Sequence, residues 1–542
     1  MSAPLPPFAL SSTSMRIVSS VGLCMTFMWV GHQIRESLAV TRRVMLPASL
    51  IAGLLALLFI QLCELNDSVI TTVRLDWIAG WDQLPGFLIN VVFSTLFLGA
   101  KVPGLREVWR LAGPQLAYGQ VLAWGNWVVA SLVTVLLLQP VWGVPAIFST
   151  LLEVGFEGGH GTAAGLREVY EQLGYAEGGD LAVTCATIGI ICGVLLGTLM
   201  VNIGQSRGWS YSSYKASTAQ VSLEEGLRDS SSDPAQQDSG RVFAAERKSG
   251  AEAAGAPQLR APARRAVKTW RDRAVIDVEE RPVGMRLTIS NDALDTLALH
   301  AGFIGLTILL AYFTKRALMA IENTSEELME LKVLSGFPLF PICMLWGGVV
   351  QLCIDRFAAV SPIERDAMER ICGVSLDFLV FTAIATTRIS AVASGIVPLL
   401  VLILFGLIWQ FVCLLVVAPI MLPDFWFERG LCEMGKGMGT TATGLLLLRM
   451  VDPDGETPVL KAFSCKQLLH EPFMGGGLWT SLSLPLALTL GNWVLFGISA
   501  GFIVFWIVIW FLLFKRLKPA GPLLQHKYRG DPACHDTDVT PK

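Results

Sequence analysis

Charge is scarce in this chain. Asp, Glu, Lys and Arg make up 16% of its 542 residues, against roughly a quarter in soluble domains. So little charge cannot cover a water-facing surface, which excludes an ordinary soluble globular protein but suits a surface turned to lipid. Histidine is also sparse, with six scattered residues, His32, His160, His300, His470, His526 and His535. The eleven cysteines lie mostly singly inside apolar runs, with no C-x-x-C pair, and read as small hydrophobes in helix cores. Nothing in the pattern points to a metal cluster or to a nucleophile beside a base, so no enzyme, catalytic residue or cofactor is expected. The net charge of -3 says little about partners, and no nucleic-acid partner is expected.

Apolar length is abundant. The chain is 53% hydrophobic, with a mean hydropathy of +0.55. Residues 84–100, 122–138, 181–201 and 397–421 are apolar runs near the roughly 20 residues that a helix needs to cross a bilayer. They lack the alternation of a barrel strand, so the expected fold class is an all-α polytopic membrane protein in a cell (inner or plasma) membrane. Expected spans are 14–33, 44–63, 84–101, 116–138, 181–203, 297–314, 333–353, 371–387, 397–421, 478–496 and 501–514. Gly491, Asn492 and Gly497 divide the last two. No A-x-A cleavage pattern follows the first run, which reads as a span rather than a removed signal.

Residues 204–287 differ in kind. They are rich in Gly, Ser, Ala, Gln and Pro and end in a basic run, 260–273; such composition does not repay its ordering entropy, and disorder is the expectation. Arg35, Arg42 and Arg43, then Lys101, Arg106 and Arg110, the 260–273 run, and finally Lys515, Arg516 and Lys518 all fall on one side if there are eleven spans. Basic residues favour the cytoplasmic side, which puts the insertion and the C-terminus there. Lys315 and Arg316 fall on the other side, among acidic neighbours.

The two halves around this insertion echo each other. Pro47 and Gly53 in the second span match Pro341 and Gly347 in the seventh. Asn90 precedes Val92-Phe93-Ser94, as Asp377 precedes Val380-Phe381-Thr382. Glu157-Gly158-Gly159-His160-Gly161 follows span four, and Glu433-Met434-Gly435-Lys436-Gly437 follows span nine. An odd number of spans per half inverts the second half, a recurrent transporter architecture. The expected organisation is a repeat over 14–203 containing hairpin 142–165, the insertion 204–287, an inverted repeat over 297–496 containing hairpin 426–447, an extra helix 501–514, and a tail 515–542.

Both hairpins are too short and too rich in glycine for full spans, and read as re-entrant segments. Irregular backbone at membrane depth is tolerated where it lines a cavity, and free amides at a helix start attract anions. Candidate binding residues are therefore Gly158, Gly159, His160, Gly161, Thr162, Gly437, Gly439, Thr440 and Thr441. Close packing through small residues alone would not call for Glu, His or Lys beside the glycines. His160 is open to three roles: donating to a substrate, titrating with coupled protons, or bonding across the hairpin. Lys436 can face an anion, pair with Glu157 or Glu433, or stand in cytoplasmic water. Asp377, ionisable inside a span, is expensive without a partner and is a candidate for cation coordination, with Asn90 as its repeat mate. Arg388 reads as an interface residue.

Gly158-Gly159-His160-Gly161-Thr162-Ala163 resembles the Gly-Gly-His-Gly-Thr hallmark of the sodium/glutamate symporter family. Gly437-Met438-Gly439-Thr440-Thr441-Ala442-Thr443 is similar to that family's second hairpin. The resemblance implies two inverted five-helix halves with re-entrant loops, a homodimer in the lipid bilayer, and import of L-glutamate with a sodium ion. Three features depart from the pattern: Glu157 precedes the first motif, Glu433 and Lys436 crowd the second, and Thr440-Thr441 replaces its proline. These charged residues are expected to modulate the site. The competing readings are transport of another organic anion with proton coupling, and a membrane sensor signalling through the insertion.

Overall fold

The computed structural model describes residues 13–39, 41, 46–64, 67–100, 105–213, 287–288, 294–324, 334, 337–358, 360–453 and 455–515. Most of the polar insertion with its basic run, the C-terminal tail after Lys515, Arg42, Arg43, Lys101 and the side chains of Arg106 and Arg110 lie outside the described residues.

All regular structure among the described residues is helical. The principal helices are α1 (Thr13–Ser37), α2 (Ala48–Cys63), α3 (Leu84–Thr95), α4 (Leu105–Val133), α5 (Thr150–Phe156), α6 (Gly159–Gly165), α7 (Gly178–Ser206) and α8 (Thr296–Glu322). They continue as α9 (Leu339–Phe357), α10 (Arg365–Ala385), α11 (Ile389–Val412), α12 (Trp426–Gly437), α13 (Thr441–Val451), α14 (Val459–His470), α15 (Leu478–Thr489) and α16 (Asn492–Ile509). Local chemistry sets several starts. Pro47 and Pro338 cap α2 and α9, where a missing N–H costs nothing. Asp295 accepts from the Leu297 amide at 2.7 Å to begin α8.

Among the described residues, seven helices, α1, α4, α7, α8, α9, α11 and α16 with their continuations, are long and apolar enough to cross a membrane. Large apolar side chains such as Leu352, Leu404, Ile420, Val504 and Leu512 point outward, while Gln115, Gln120, Asn126 and Gln410 are buried. That inverts the usual arrangement of a soluble protein, and lipid as the outer solvent accounts for it. The chain is a multi-pass membrane protein.

Several span edges differ from the sequence-based ones, two of them with a bearing on the fold. The expected span 84–101 is helical only to Thr95. The last break falls at Gly491, whose φ of +78° makes the turn, so α16 begins at Asn492 and runs unbroken through Gly497. Helix α14 was not anticipated.

The helices sort into two bundles, each drawn from both halves of the sequence. In the first, α1 packs on α2, α2 and α3 pack on α10, and α9 packs on α3 and α8. In the second, α4 is central, touching α5, α11, α14 and α16, while α7 lies along α5, α6, α11, α12 and α13. Small residues let α7 approach closely: a Cβ at Gly189 would stand 2.5 Å from the Met438 carbonyl oxygen, and Gly193 and Gly197 continue that face one and two turns on. Helix α6 is the main bridge between bundles, packing on α3 and α10.

Candidate functional site

Two helix breaks meet beside that bridge. The first separates α5 from α6 at Gly158-Gly159, where Gly159 adopts φ +64°, a conformation glycine takes without steric cost. The second separates α12 from α13 at 438–440. A Cβ on Gly159 would lie 2.9 Å from the carbonyl oxygen of Gly439, so the breaks touch. Thr440 is extended and caps α13, its hydroxyl accepting from the Thr443 amide.

A cavity of about 440 Å³ opens here between the bundles. The first bundle supplies Ser49 of α2, Ile89 and Phe93 of α3, and Leu376 and Asp377 of α10. The second supplies Glu157, Gly158, His160, Gly161, Thr162, Lys436, Gly439, Thr440, Thr441 and Glu471. The wall is mostly apolar with a few convergent polar groups, the usual make-up of a small-molecule site.

Not all candidates are brought together. Gly159 stands against the second break, as described. Gly437 lies behind the wall, its carbonyl accepting from Gln410 Nε2 at 3.2 Å. Asn90 is not among the lining residues; its amide donates to the Gly86 carbonyl at 2.7 Å, and its Oδ1 accepts from Cys343 Sγ at 3.7 Å. Asp377 does face the cavity, within hydrogen-bonding reach of Ser49.

His160 is buried, with Nε2 2.9 Å from Thr187 Oγ1. The Thr187 hydroxyl already donates to the Val183 carbonyl at 2.9 Å, so the network assigns the proton to Nε2. Nδ1 has no partner among the described residues. The bond therefore runs to α7, not across the hairpin. Thr162 donates to the Gly475 carbonyl at 3.0 Å, tying α6 to the segment before α15.

Lys436 does not stand in water: it is 2% exposed, and its Nζ lies 2.8 Å from Glu157 Oε1 and donates to the Glu157 carbonyl at 3.1 Å. His470 Nε2 reaches the same Oε1 at 2.8 Å. Gln120, whose own Oε1 accepts from Trp124, stands 3.2 Å from His470 Nδ1. That fixes His470 as donor to Glu157 through Nε2. Glu433 pairs not with Lys436 but with Lys466 at 2.9 Å, and accepts from Gln115 at 2.8 Å. Arg429 pairs with Asp424 at 2.8 Å. All twelve residues of α12 are buried, Glu428, Arg429, Glu433 and Lys436 among them, and buried charges persist where they are paired and hydrogen-bonded.

Sequence reading missed Glu153, Lys466, His470 and Glu471. Glu471 lines the cavity and accepts from Thr441 at 3.2 Å and Gln467 at 3.1 Å. At the far end of α7, Asp180 is fully buried between Arg167 at 3.0 Å and Arg388 at 2.7 Å. Arg167 also donates to Thr386 at 3.0 Å, which clasps the second bundle to the end of α10.

The Glu433–Lys466 pair gives a direct stability test. Lys466→Met strands a buried carboxylate and should cost about 3 to 5 kcal/mol. The double variant Glu433→Gln/Lys466→Met leaves no unpaired charge and should recover most of that. A double-mutant cycle of thermal melts in detergent checks it.

Fold and cavity together define a multi-pass helical membrane protein with a solute-sized cavity between two bundles. Residues 13–235 match the model of the sodium/glutamate symporter family. Sodium/glutamate symporters of Escherichia coli (strain K12) and Shigella flexneri are each 28% identical over 170 residues, 31% of this chain. The chain spans about two fifths of the length of these curated relatives, 39% in each case. The family resemblance of the Gly158–Thr162 motif is thus met over the N-terminal part. That family is one of transport proteins rather than enzymes.

Proposed function

We infer that this protein is a secondary transporter carrying glutamate or a related small carboxylate together with sodium. The observation that carries the reading is the cavity itself: two helix breaks in contact, walled by both bundles, with a buried ammonium at Lys436. The start of α13 at Thr441-Ala442 adds backbone amides and the positive end of a helix. An anionic carboxylate finds donors here. Across the cavity, Asp377 with Ser49 offers oxygens to a sodium ion.

The inverted repeat is supported by paired contacts. Ser49 stands two residues after Pro47 and meets Asp377; Cys343 stands two residues after Pro341 and meets Asn90. A Cβ on Gly53 would lie 3.0 Å from the Phe381 carbonyl oxygen on α10, and one on Gly347 would lie 2.7 Å from the Ser94 carbonyl oxygen on α3. Each half thus contributes the same helix pair, joined crosswise to the other half. Two re-entrant hairpins entering from opposite faces follow from that relation. Alternating access is then a movement of the second bundle against the first, with α6 at the sliding surface. The family resemblance further implies a homodimer, with the insertion and the C-terminus in the cytoplasm.

Uptake of labelled L-glutamate by purified protein in liposomes tests the reading. Accumulation is expected with an inward sodium gradient and not when potassium replaces sodium. No accumulation by folded protein rejects glutamate–sodium symport.

A further inference from the structure

Helix α5 ends in two carboxylates one turn apart, Glu153 and Glu157, both buried. Each has one oxygen provided for. Asn126 Nδ2 donates to Glu153 Oε2 at 3.1 Å, and Lys436 and His470 both serve Glu157 Oε1. Among the described residues, Glu153 Oε1 and Glu157 Oε2 have no hydrogen-bond partner.

The groups facing this pair do not supply one. Helix α12 offers Lys436, already held by Glu157. Helix α14 offers Lys466, held by Glu433, and the neutral His470. Glu471 adds a further carboxylate at the cavity wall, and His160 on α6 is turned to Thr187. Helix α4 gives the neutral Asn126, with Gln410 of α11 behind it. On α7, Cys185 packs at Gly155, and Asp180 is committed to Arg167 and Arg388. Two ionised carboxylates in this dry setting would repel, each with a desolvated oxygen left bare. One proton would resolve both faults, because an O–H on Glu153 Oε1 would be a donor and Glu157 lies one turn on along the same helix face.

The geometry points to a proton-binding site, a single proton shared between Glu153 and Glu157 in the wall behind the cavity. It deepens the transport reading, on which only its coupling consequence rests. An anion drawing Lys436 away leaves Glu157 Oε1 with His470 alone, so the pair holds its proton more firmly. Anion and proton binding then assist each other, with reciprocal strength.

Infrared spectroscopy of the lipid-embedded protein at neutral pH tests the site without any substrate. A protonated-carboxyl C=O band is expected that disappears in Glu153→Gln and shifts in Asn126→Leu. In the wild-type chain the same band must move on labelling with ¹³C-glutamate, which keeps the test alive if a variant does not fold. A spectrum without the band, or one in which it survives Glu153→Gln, overturns the shared proton. A sodium-dependent rise in melting temperature that Glu153→Gln abolishes also overturns it, in favour of a metal cation between the carboxylates. For the coupling, L-glutamate uptake driven by a sodium gradient should acidify the lumen of liposomes holding a pH-sensitive dye. Uptake with no acidification refutes the coupling. Absence of uptake refutes the glutamate reading, while the infrared result still decides the proton site.

Discussion

Replacing Lys436 with methionine is expected to lower the melting temperature sharply and to abolish anion binding together. The Nζ of Lys436 makes two contacts with Glu157, one to its carboxylate and one to its carbonyl. Methionine fills similar space without the charge, and Glu157 Oε1 is left buried with His470 alone. Removing one partner of a buried pair typically costs about 3 to 5 kcal/mol. The double variant Glu157→Gln/Lys436→Met separates the two effects. It removes both charges and should melt near the wild type, yet still fail to bind L-glutamate, because the cavity has lost its ammonium. Binding by the double variant at wild-type strength would exclude Lys436 as the anion's partner.

Gly161→Leu should eliminate uptake while leaving expression, membrane insertion and monodispersity unchanged. A Cβ at this position would stand 3.3 Å from Ile89 Cδ1 and 3.7 Å from Leu376 Cδ1, both on the first bundle. Alanine there requires only a small adjustment, so Gly161→Ala should keep part of the uptake. Leucine projects three more carbons into the space between the bundles, filling the cavity and jamming the sliding surface. Gly159→Ala should act differently, because its φ of +64° and its approach to the Gly439 carbonyl distort the break itself. Parallel uptake and size-exclusion measurements distinguish blockade from misfolding; normal uptake by Gly161→Leu would remove this residue from the pathway.

The class of fold was legible because composition and run length respond to a single solvent, the bilayer. The glycine breaks were legible as well, since glycine beside Glu, His and Lys is a local pattern. What escaped was the set of partners. Lys466 and His470 sit on α14, whose mixture of Lys461, Ser464, Lys466 and Gln467 with apolar residues reads as a polar connection. Their partners, Glu433 and Glu157, lie 33 and 313 residues away in sequence. One signal was available: Glu153 with Glu157, and Lys466 with His470, are each spaced i,i+4, which places each pair on one helix face. Two acidic and two basic groups so spaced in an otherwise apolar chain imply mutual compensation. Asn90 and Gly437 read as cavity residues from the repeat, but a repeat fixes the equivalence of positions rather than their exposure to one cavity. Gly491, Asn492 and Gly497 all read as interruptions of a long apolar run; Gly491, with φ +78°, makes the turn, while the helix runs on through Gly497.

The matched pairs of the second bundle have an electrical consequence. Glu157 with Lys436, Glu433 with Lys466, and Asp424 with Arg429 cancel most of the charge buried around α12. A membrane potential does work of about 2.3 kcal/mol per 100 mV on each elementary charge carried fully across. In the proposed transport cycle, a bundle whose buried charges cancel in place would offer the field little to pull on as it shifts. The voltage would then act chiefly on the cargo, and the current per turnover would count the ions that travel with each anion.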